Sequence, residues 1–267
     1  MKKIRVFVAG AGGKMGKEVV RTILNQEDMQ LVGASDARQQ GKDIGEILGI
    51  PSLGIEIMGP LEEEHLEKFK PDVMVDFTNP QSVLRNAKCA LNAGVVPVLG
   101  TTGLDDADIA ELRELVEQVK VGAFIAPNFA IGAILMMRFA QEAAKYFPHV
   151  EIIELHHDQK LDAPSGTALK TAEWISEVRK PFVQGHPNEY EKLKGSRGGD
   201  IEGIHIHSVR LPGFIAHQEV IFGGLGQALT IRHDAFSRET YMPGVMLAIR
   251  KACRLTNLVI GLENFLD

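Results

Sequence analysis

The chain has 267 residues, 45% of them hydrophobic, and a formal net charge of −6 at pH 7. This length and apolar content suit one large or two modest domains with a buried core. The acidic balance excludes a typical nucleic-acid-binding protein, because contact with phosphates needs a basic face. Cys89 and Cys253 lie far apart without metal-ligand spacing. A disulfide is one alternative, and free thiols in a reducing cytosol are the interpretation we favour.

The N-terminus, MKKIRVFVAGAGG, places basic residues before an apolar run, as a secretory signal does. The run ends at Gly10 and is too short for a signal core or a membrane span. We therefore interpret it as a buried first strand. We expect a cytoplasmic protein that does not enter a membrane.

Short β-branched runs alternate with helical patterns through the first half of the chain, which is typical of βα units and a parallel sheet. Strands are predicted at Ile4–Ala9, Leu31–Ser35, Val73–Phe77, Val95–Leu99 and Gly122–Ala126. They lead into GAGGKMG, SDAR, FTNP, GTTG and APNF. Because ligands bind beyond the carboxyl ends of such strands, these segments are expected to line one crevice.

The pattern changes after about residue 127. A helix is predicted at Ile131–Tyr146, followed by the strand VEIIEL, a loop with histidines and a lysine, and a helix through Trp174. The stretch GSRGGDIEG indicates a mobile connection. IHIHSVR, EVIFGG and ALTIRHDA indicate antiparallel strands, and a closing helix is predicted at about Tyr241–Arg254.

The predicted fold class is α/β, with a Rossmann-like parallel-sheet dinucleotide-binding domain and a second α+β domain for substrate binding and oligomerisation. The first domain is predicted at residues 1–127, with a C-terminal helix at about 240–267 packing back on it. The second is predicted at residues 128–239.

A glycine-rich turn, GAGGKMG, follows the first strand and opens a helix. Its spacing, G-x-G-x-x-x-G over Gly10, Gly12 and Gly16, departs by one residue from the usual dinucleotide fingerprint. The position still predicts a turn whose amides and helix N-terminus face a pyrophosphate. A glycine turn without a ligand is the alternative.

Asp36 ends the second predicted strand, where an acidic group can bind the hydroxyls of the adenosine ribose. That placement favours NAD. Arg38 and Lys42 stand close by and can pair with a 2′-phosphate, so NADP stays open, and a solvated surface charge is a further alternative.

Two later strand ends are predicted to lie near a nicotinamide ring: GTTG at Gly100–Gly103 and APNF at Ala126–Phe129. Their backbone groups would fix the ring amide. Ordinary strand-to-helix turns explain each of them equally well when taken alone.

The most informative segment is ELHHDQKLDAPSGTA. It places His156, His157 and Lys160 just before a helix start at Pro164, Ser165, Gly166 and Thr167. Free amides, two hydroxyls and the helix dipole would bind a carboxylate there. Lys160 adds a charge, and His156 or His157 adds a group that can transfer protons. A capped helix with solvated histidines is the alternative.

The remaining histidines indicate no metal site. His205 and His207 alternate along a strand without the cysteines or carboxylates of a zinc centre. Surface or core roles are favoured for Arg210, His217 and His233, and a contribution to the pocket or to subunit contacts is the alternative.

Together these motifs resemble the dihydrodipicolinate reductase family, also called the 4-hydroxy-tetrahydrodipicolinate reductases. The resemblance covers essentially the whole chain and depends above all on ELHHDQKLDAPSGTA. VAGAGGKMG, DFT, GTTG, APNF, SVRLPGFIAHQEVIF and HDAFSRETY add to it.

The resemblance implies His156 as proton donor and acceptor, Lys160 as proton donor, and His157, Gly166 and Thr167 as substrate-binding groups. It implies cofactor binding by Gly10, Ala11, Gly12, Gly13, Lys14, Met15, Asp36, Arg38, Gly100, Thr101, Thr102, Ala126, Pro127, Asn128 and Phe129. The chain departs from the family at two positions, Ala37 where some relatives have an arginine and Gln227 where a glutamate is expected.

The implied reaction is NAD(P)H-dependent reduction of 4-hydroxy-tetrahydrodipicolinate, a small cyclic dicarboxylate of lysine and diaminopimelate biosynthesis. The alternatives are another two-domain dehydrogenase and a redox sensor that binds NAD(P)(H) without catalysis. Alternating apolar strands between residues 204 and 234 would leave a sheet face that needs cover, and related enzymes are tetramers. We therefore expect a homotetramer.

Overall fold

The computed structural model describes residues 2–180 and 182–266. The chain divides into two compact units, which we call the first and second units. The first unit comprises Met1–Ala130 and Tyr241–Asp267, and the second comprises Ile131–Thr240. Across the residues described, no helix combines the length and apolar character needed to cross a lipid bilayer.

The first unit alternates strands with helices. In chain order its elements are β1 (Ile4–Ala9), α1 (Lys14–Leu24), β2 (Met29–Ser35), α2 (Ile44–Leu48), β3 (Ile57–Met58), α3 (Glu63–Phe69), β4 (Val73–Asp76), α4 (Pro80–Asn92), β5 (Val96–Leu99), α5 (Asp106–Val119) and β6 (Ala123–Ile125). The second unit follows β6 along the chain, and the first unit then resumes with α8 (Met242–Ala252), β12 (Leu258–Ile260) and a 3₁₀ turn at Leu262–Phe265.

These strands form one parallel sheet in the order β12-β6-β5-β4-β1-β2-β3. Read from β3 to β6, this is the strand order of a doubly wound dinucleotide-binding fold. The order reverses between β1 and β4, so their carboxyl ends flank the ligand crevice. The predicted Rossmann-like class is confirmed.

The five predicted strands of this sheet are all present. β1 matches its predicted bounds, and the other four differ by one or two residues at one end or, for β6, by one residue at both ends. Val6, Phe7, Val8 and Ala9 are fully buried. Such continuous apolar runs are expected for a parallel sheet with helices on both faces.

The C-terminal segment corrects the sequence prediction of one helix over about 240–267. The helix ends at Ala252, and Leu258–Ile260 adds a strand beside β6. The run is only three residues long, so periodicity could not identify it. Its partner strand, which lies more than 130 residues earlier in the chain, supplies the hydrogen bonds.

The second unit is a five-stranded mixed sheet with two helices. Its elements are α6 (Ile131–Ala144), β7 (His149–His156), α7 (Gly166–Val178), β8 (Gly199–Ile201), β9 (Ile204–Arg210), β10 (Ala216–Gly224) and β11 (Gln227–Ala235), and the strand order is β11-β10-β7-β9-β8.

Two predictions for this unit are corrected. The stretch GSRGGDIEG is not only a connection, because Gly199–Ile201 forms the edge strand β8. β9 is not antiparallel throughout, because it pairs parallel with β7 and antiparallel with β8. The helix α7 and a long segment separate β7 from β9, which gives the length that a parallel crossover requires.

Candidate active site

The glycine turn of the first unit has no room for side chains at two positions. Gly10 has φ +79°, and a Cβ there would lie 2.5 Å from the carbonyl oxygen of Phe77. A Cβ on Gly16 would lie 2.0 Å from the carbonyl oxygen of Gly10. Gly16 therefore allows α1 to begin directly against the turn, the packing role of the last glycine in a dinucleotide fingerprint.

Asp36 is held against this turn at the end of β2. Its Oδ2 accepts a hydrogen bond from the amide of Gly12 (3.0 Å), and its Oδ1 accepts one from the amide of Arg38 (2.9 Å). A Cβ on Gly12 would lie 2.8 Å from the same carboxylate. The turn and the acidic group that the sequence predicted are therefore in contact.

A cavity of about 640 Å³ opens beside this contact. Its lining includes the turn, the end of β2 and the start of α4, and its charged residues are Asp36, Arg38 and Arg85. Ala11 is fully buried, Met15 is half-buried, and Lys14 is exposed. A cavity of this kind, lined by a glycine turn and one acid, fits the adenosine half of a dinucleotide.

The GTTG and APNF segments end the adjacent strands β5 and β6. The amide of Gly100 donates to the carbonyl of Asp76 (2.9 Å), and the amide of Ala126 donates to Leu99 (3.0 Å). The Thr101 hydroxyl donates to the Asp76 carboxylate (2.7 Å), whereas Thr102 is exposed.

The APNF segment is held in place by one buried aromatic side chain. Phe129 is buried against Phe77 and Phe124, with ring centroids 5.8 and 6.1 Å away. Its side chain therefore anchors the segment. Pro127 is exposed, and the Asn128 side chain accepts from the amide of Ala130 (2.8 Å).

Glu154 is the centre of a charged cluster in the second unit, and the sequence interpretation missed it. Its side chain has no exposed surface. The carboxylate lies 2.5 Å from His156 Nδ1 and accepts two hydrogen bonds from Arg210, at 2.7 and 2.8 Å. The amide of Ser165 also donates to it (3.2 Å). The residue thus connects the end of β7, the end of β9 and the start of α7.

The predicted proton donor, Lys160, belongs to the same cluster. Its Nζ contacts both oxygens of Asp162, at 2.7 and 2.9 Å, and Arg210 donates to the Asp162 carbonyl (2.9 Å). The structure therefore links Lys160 to the Glu154–His156 pair through Asp162 and Arg210. His157 is exposed, and its carbonyl accepts from the Lys160 amide (3.2 Å).

The start of α7 lies directly after this loop in the chain. Ser165 is its N-cap, and its hydroxyl accepts from the amide of Ala168 (3.2 Å). Pro164 therefore precedes the cap. Gly166 is exposed, and a Cβ there would meet no atom within 4 Å. An open helix start with its positive dipole end suits a carboxylate.

The pKa values follow from these contacts. Burial raises the pKa of Glu154, but hydrogen bonds from His156 and Arg210 outweigh burial and hold it at about 2. The same pairing raises the pKa of Arg210. The hydrogen bond from Lys160 lowers the pKa of Asp162. At neutral pH Glu154 and Asp162 are therefore ionised, Arg210 is positively charged, and His156 Nδ1 lies against a charged acceptor.

A period-2 signal could have identified Glu154. Val150, Ile152 and Glu154 alternate along β7 and are all buried, so the glutamate occupies a core-facing position. Arg210 was assigned a surface or core role, and sequence spacing offers no signal that it pairs with a residue 56 positions earlier.

The histidines at 205 and 207 do not form a metal site with their neighbours. His207 Nε2 lies 2.8 Å from Glu151, which also pairs with Arg197. Over residues 2–180 and 182–266, no group of three or more His, Cys, Asp or Glu side chains is placed to hold a metal ion. Both cysteines are free.

The chain combines a doubly wound sheet, in which a glycine turn lies against an acidic strand end, with a separate unit that has a lysine and a buried Glu–His pair. This combination defines a class of proteins. This class is the two-domain oxidoreductases that use a nicotinamide dinucleotide. The first unit has the fold of a dinucleotide-binding domain, and the second unit contains a lysine and a histidine, which are residue types that can carry protons.

Comparison with known proteins identifies the family. The family model described as dihydrodipicolinate reductase, N-terminus, matches residues 4–129, and the model described as dihydrodipicolinate reductase, C-terminus, matches residues 132–266. The chain belongs to the dihydrodipicolinate reductase family, as its sequence motifs predicted.

Individual relatives agree over the full length. The chain is 86% identical over 267 residues to a 4-hydroxy-tetrahydrodipicolinate reductase of Desulfitobacterium hafniense (strain Y51), covering 100% of both chains. It is 56% identical to the protein of that name from Syntrophomonas wolfei, covering 99% of both. The solved structure of a dipicolinate-bound dihydrodipicolinate reductase from Paenisporosarcina sp. TG-14 is 50% identical, with a TM-score of 0.87 over 99% of this chain and 100% of that one.

Proposed function

We infer that this chain reduces 4-hydroxy-tetrahydrodipicolinate to tetrahydrodipicolinate with NAD(P)H, a step of lysine and diaminopimelate biosynthesis. The full-length identity to reductases of that name supports the assignment. The structural observation that carries it is the charged cluster around buried Glu154. Glu154 contacts His156 and Arg210, and Arg210 contacts Asp162, which pairs with Lys160. A redox sensor would have no use for such a cluster.

The first unit fits a dinucleotide. The Gly10–Met15 turn would place the pyrophosphate at the N-terminus of α1. Asp36 would bind the adenosine ribose, and the cavity beside it has room for the base. Gly100, Thr101 and Thr102 with Ala126–Phe129 would hold the nicotinamide end. When bound, the reduced nicotinamide supplies the hydride.

The second unit fits the substrate. The start of α7, with Ser165, Gly166 and Thr167, would bind one carboxylate through amide and hydroxyl donors. His157 is exposed on the preceding turn and would contact the substrate.

Proton delivery comes from the same segment. The ring must accept hydride, release water and receive a proton, so an acid must lie beside it. Lys160 would donate that proton, with Asp162 holding its ammonium group in place. His156 would relay protons through Nε2, because its Nδ1 faces Glu154. A buried carboxylate on one ring nitrogen fixes the tautomer and orientation of a histidine.

We propose that the cofactor site accepts both NADH and NADPH. The amides of Gly12 and Arg38 leave lone pairs on the Asp36 carboxylate for ribose hydroxyls. Arg38 and Arg85 line the same cavity and offer donors to a 2′-phosphate. Arg38→Ala should weaken NADPH binding about tenfold, since a hydrogen bond to a charged group contributes that much, and leave NADH binding unchanged. Arg113→Ala, an exposed change on α5, should alter neither.

The reaction is tested by NADH and NADPH oxidation with enzymatically generated 4-hydroxy-tetrahydrodipicolinate. Lys160→Ala should lose most of the turnover while NADH still binds. Lys170→Ala, the same change at an exposed position of α7, should retain it. Tight NADH binding without any turnover by the native chain would favour the sensor. Full activity of Lys160→Ala would remove that residue from proton transfer.

We also propose a homotetramer assembled through the second unit. α6 and α7 pack on one face of its sheet. The alternation of buried residues places Ile153, Leu155, Ile221 and Val209 on the opposite face, where they are only half-buried. A single-chain mass in light scattering would contradict this assembly. The two free cysteines support a reducing, cytoplasmic location.

A further inference from the structure

Asp76 is a fully buried carboxylate at the end of β4, between β1 and β5 at the edge of the sheet that faces the ligand crevice. Its Oδ1 accepts from the Thr78 amide (3.0 Å), the Thr78 hydroxyl (2.8 Å) and the Thr101 hydroxyl (2.7 Å). Its Oδ2 accepts from the Asn86 side-chain amide (2.7 Å). All four donors are uncharged, so the site satisfies a buried acid with hydrogen bonds alone.

These bonds determine what the two threonines can offer to a ligand. A hydroxyl has one hydrogen and two acceptor lone pairs. Because Thr78 and Thr101 both give their hydrogen to Asp76, each presents only acceptor lone pairs elsewhere. Both side chains are half-buried, and Thr78 lines the 640 Å³ cavity.

Asn86 is constrained in the same way. Its nitrogen donates to Asp76, which fixes the orientation of the amide group. Its oxygen is buried and has no hydrogen-bond partner among the described residues. Asn86 is 2% exposed and lines the same cavity. A buried acceptor without a donor in the wall of a cavity indicates a ligand that supplies one.

We propose that Asp76 is a positioning residue: it makes Thr78, Thr101 and Asn86 hydrogen-bond acceptors towards the bound dinucleotide. In this arrangement the Thr101 hydroxyl accepts a hydrogen bond from the carboxamide N–H₂ of the nicotinamide. The proposal rests on the proposed use of NAD(P)H. GTTG follows β5, next to the strand that ends in Asp76, on the side of the site assigned to the nicotinamide. The carboxamide nitrogen carries two hydrogens, so it can donate a hydrogen bond to a hydroxyl that is able only to accept one.

A purely structural role for Asp76 predicts something different. In that case the network only joins the ends of β4 and β5, and its loss lowers stability without changing which nicotinamide analogue binds best. The two roles are therefore distinguished by ligand preference.

The test is calorimetric titration with three reduced dinucleotides: NADH, its thionicotinamide analogue, which keeps the N–H₂ group, and its 3-acetylpyridine analogue, in which a methyl group replaces it. The native chain should bind the acetylpyridine analogue about tenfold more weakly than NADH, the upper range for one neutral hydrogen bond. It should bind the thionicotinamide analogue nearly as well as NADH.

Thr101→Val should reduce the NADH to acetylpyridine ratio to about one by weakening NADH alone, since a single hydrogen bond is lost. Thr101→Ser should keep the native ratio. Asp76→Ala should reduce the ratio as well, because the Thr101 hydroxyl loses the acceptor that holds its hydrogen and can then turn that hydrogen towards the ligand. Thr22→Val, which removes a hydroxyl bonded within α1, is the matched control and should keep the ratio.

The inference would be overturned if the native chain bound NADH and its acetylpyridine analogue equally well. It would also be overturned if Thr101→Val kept the NADH to acetylpyridine ratio of the native chain. Either result leaves the proposed function intact if the native chain still oxidises NADH with its substrate. The Thr101 variants decide the question even if Asp76→Ala does not fold.

Discussion

Replacing Glu154 by glutamine removes one buried charge and keeps the shape of the side chain. The ordinary pKa of this carboxyl is 4.5, and the folded protein holds it at about 2. A difference of about 2.5 in pKa at 1.36 kcal/mol each corresponds to about 3 kcal/mol of stability at neutral pH. Because the folded value is the lower one, this contribution is complete above about pH 4.5 and is lost as the pH falls towards 2.

The variant therefore has two expected effects. It leaves Arg210 without its buried partner, which destabilises by about 3–5 kcal/mol when one member of a buried pair is removed. It also removes the acid dependence contributed by Glu154. The difference in free energy of unfolding between native and variant protein should shrink by about 2 kcal/mol between pH 6 and pH 3.

The assay is urea unfolding followed by tryptophan fluorescence. Trp174 is the single tryptophan of the chain and lies on α7, so it reports on the second unit. Glu173→Gln, an exposed change beside it, is the control and should stay within about 0.5 kcal/mol at every pH, as surface pairs do. If the native-to-variant difference were constant from pH 6 to pH 3, the assignment of a strongly lowered pKa to Glu154 would be wrong.

The remaining predictions concern the two sites. Gly16→Ala places a methyl group 2.0 Å from the carbonyl oxygen of Gly10. It should cost about 1–3 kcal/mol and weaken NADH binding, as overpacking does; an unchanged thermal midpoint and NADH affinity would contradict it. Ser165→Ala removes the cap on the Ala168 amide and should cost about 1 kcal/mol in urea unfolding, whereas Ser165→Gly should cost only a few tenths. Equal losses in the two Ser165 variants would argue that the hydroxyl does not act as a cap.

Much of the fold could be predicted from local patterns in the sequence. The apolar run Val6–Ala9, bounded by Gly10, predicted a short buried strand, and the glycines after it predicted a turn against a helix. The segment from His156 to Thr167 likewise predicted its own loop and helix start. These features depend on neighbours a few residues away, which a single sequence displays directly.

The tertiary structure decided what depends on distant partners. Glu154 could be placed on an apolar face by alternation, but only folding brings Arg210 to it across 56 residues. Asp76 was noted only as part of a family motif, and its role depends on Thr101, 25 residues later on the next strand. The strand Leu258–Ile260 exists because β6 offers it an open edge.

The sequence by itself therefore determined the class of the fold and the family, and it predicted which residues carry protons. The tertiary structure alone decided how those residues are held, which charges are buried and which hydroxyls can donate. The physical reason is that periodicity and turn chemistry act over one to four residues along the chain. Desolvation and pairing, in contrast, act between groups that meet only after folding.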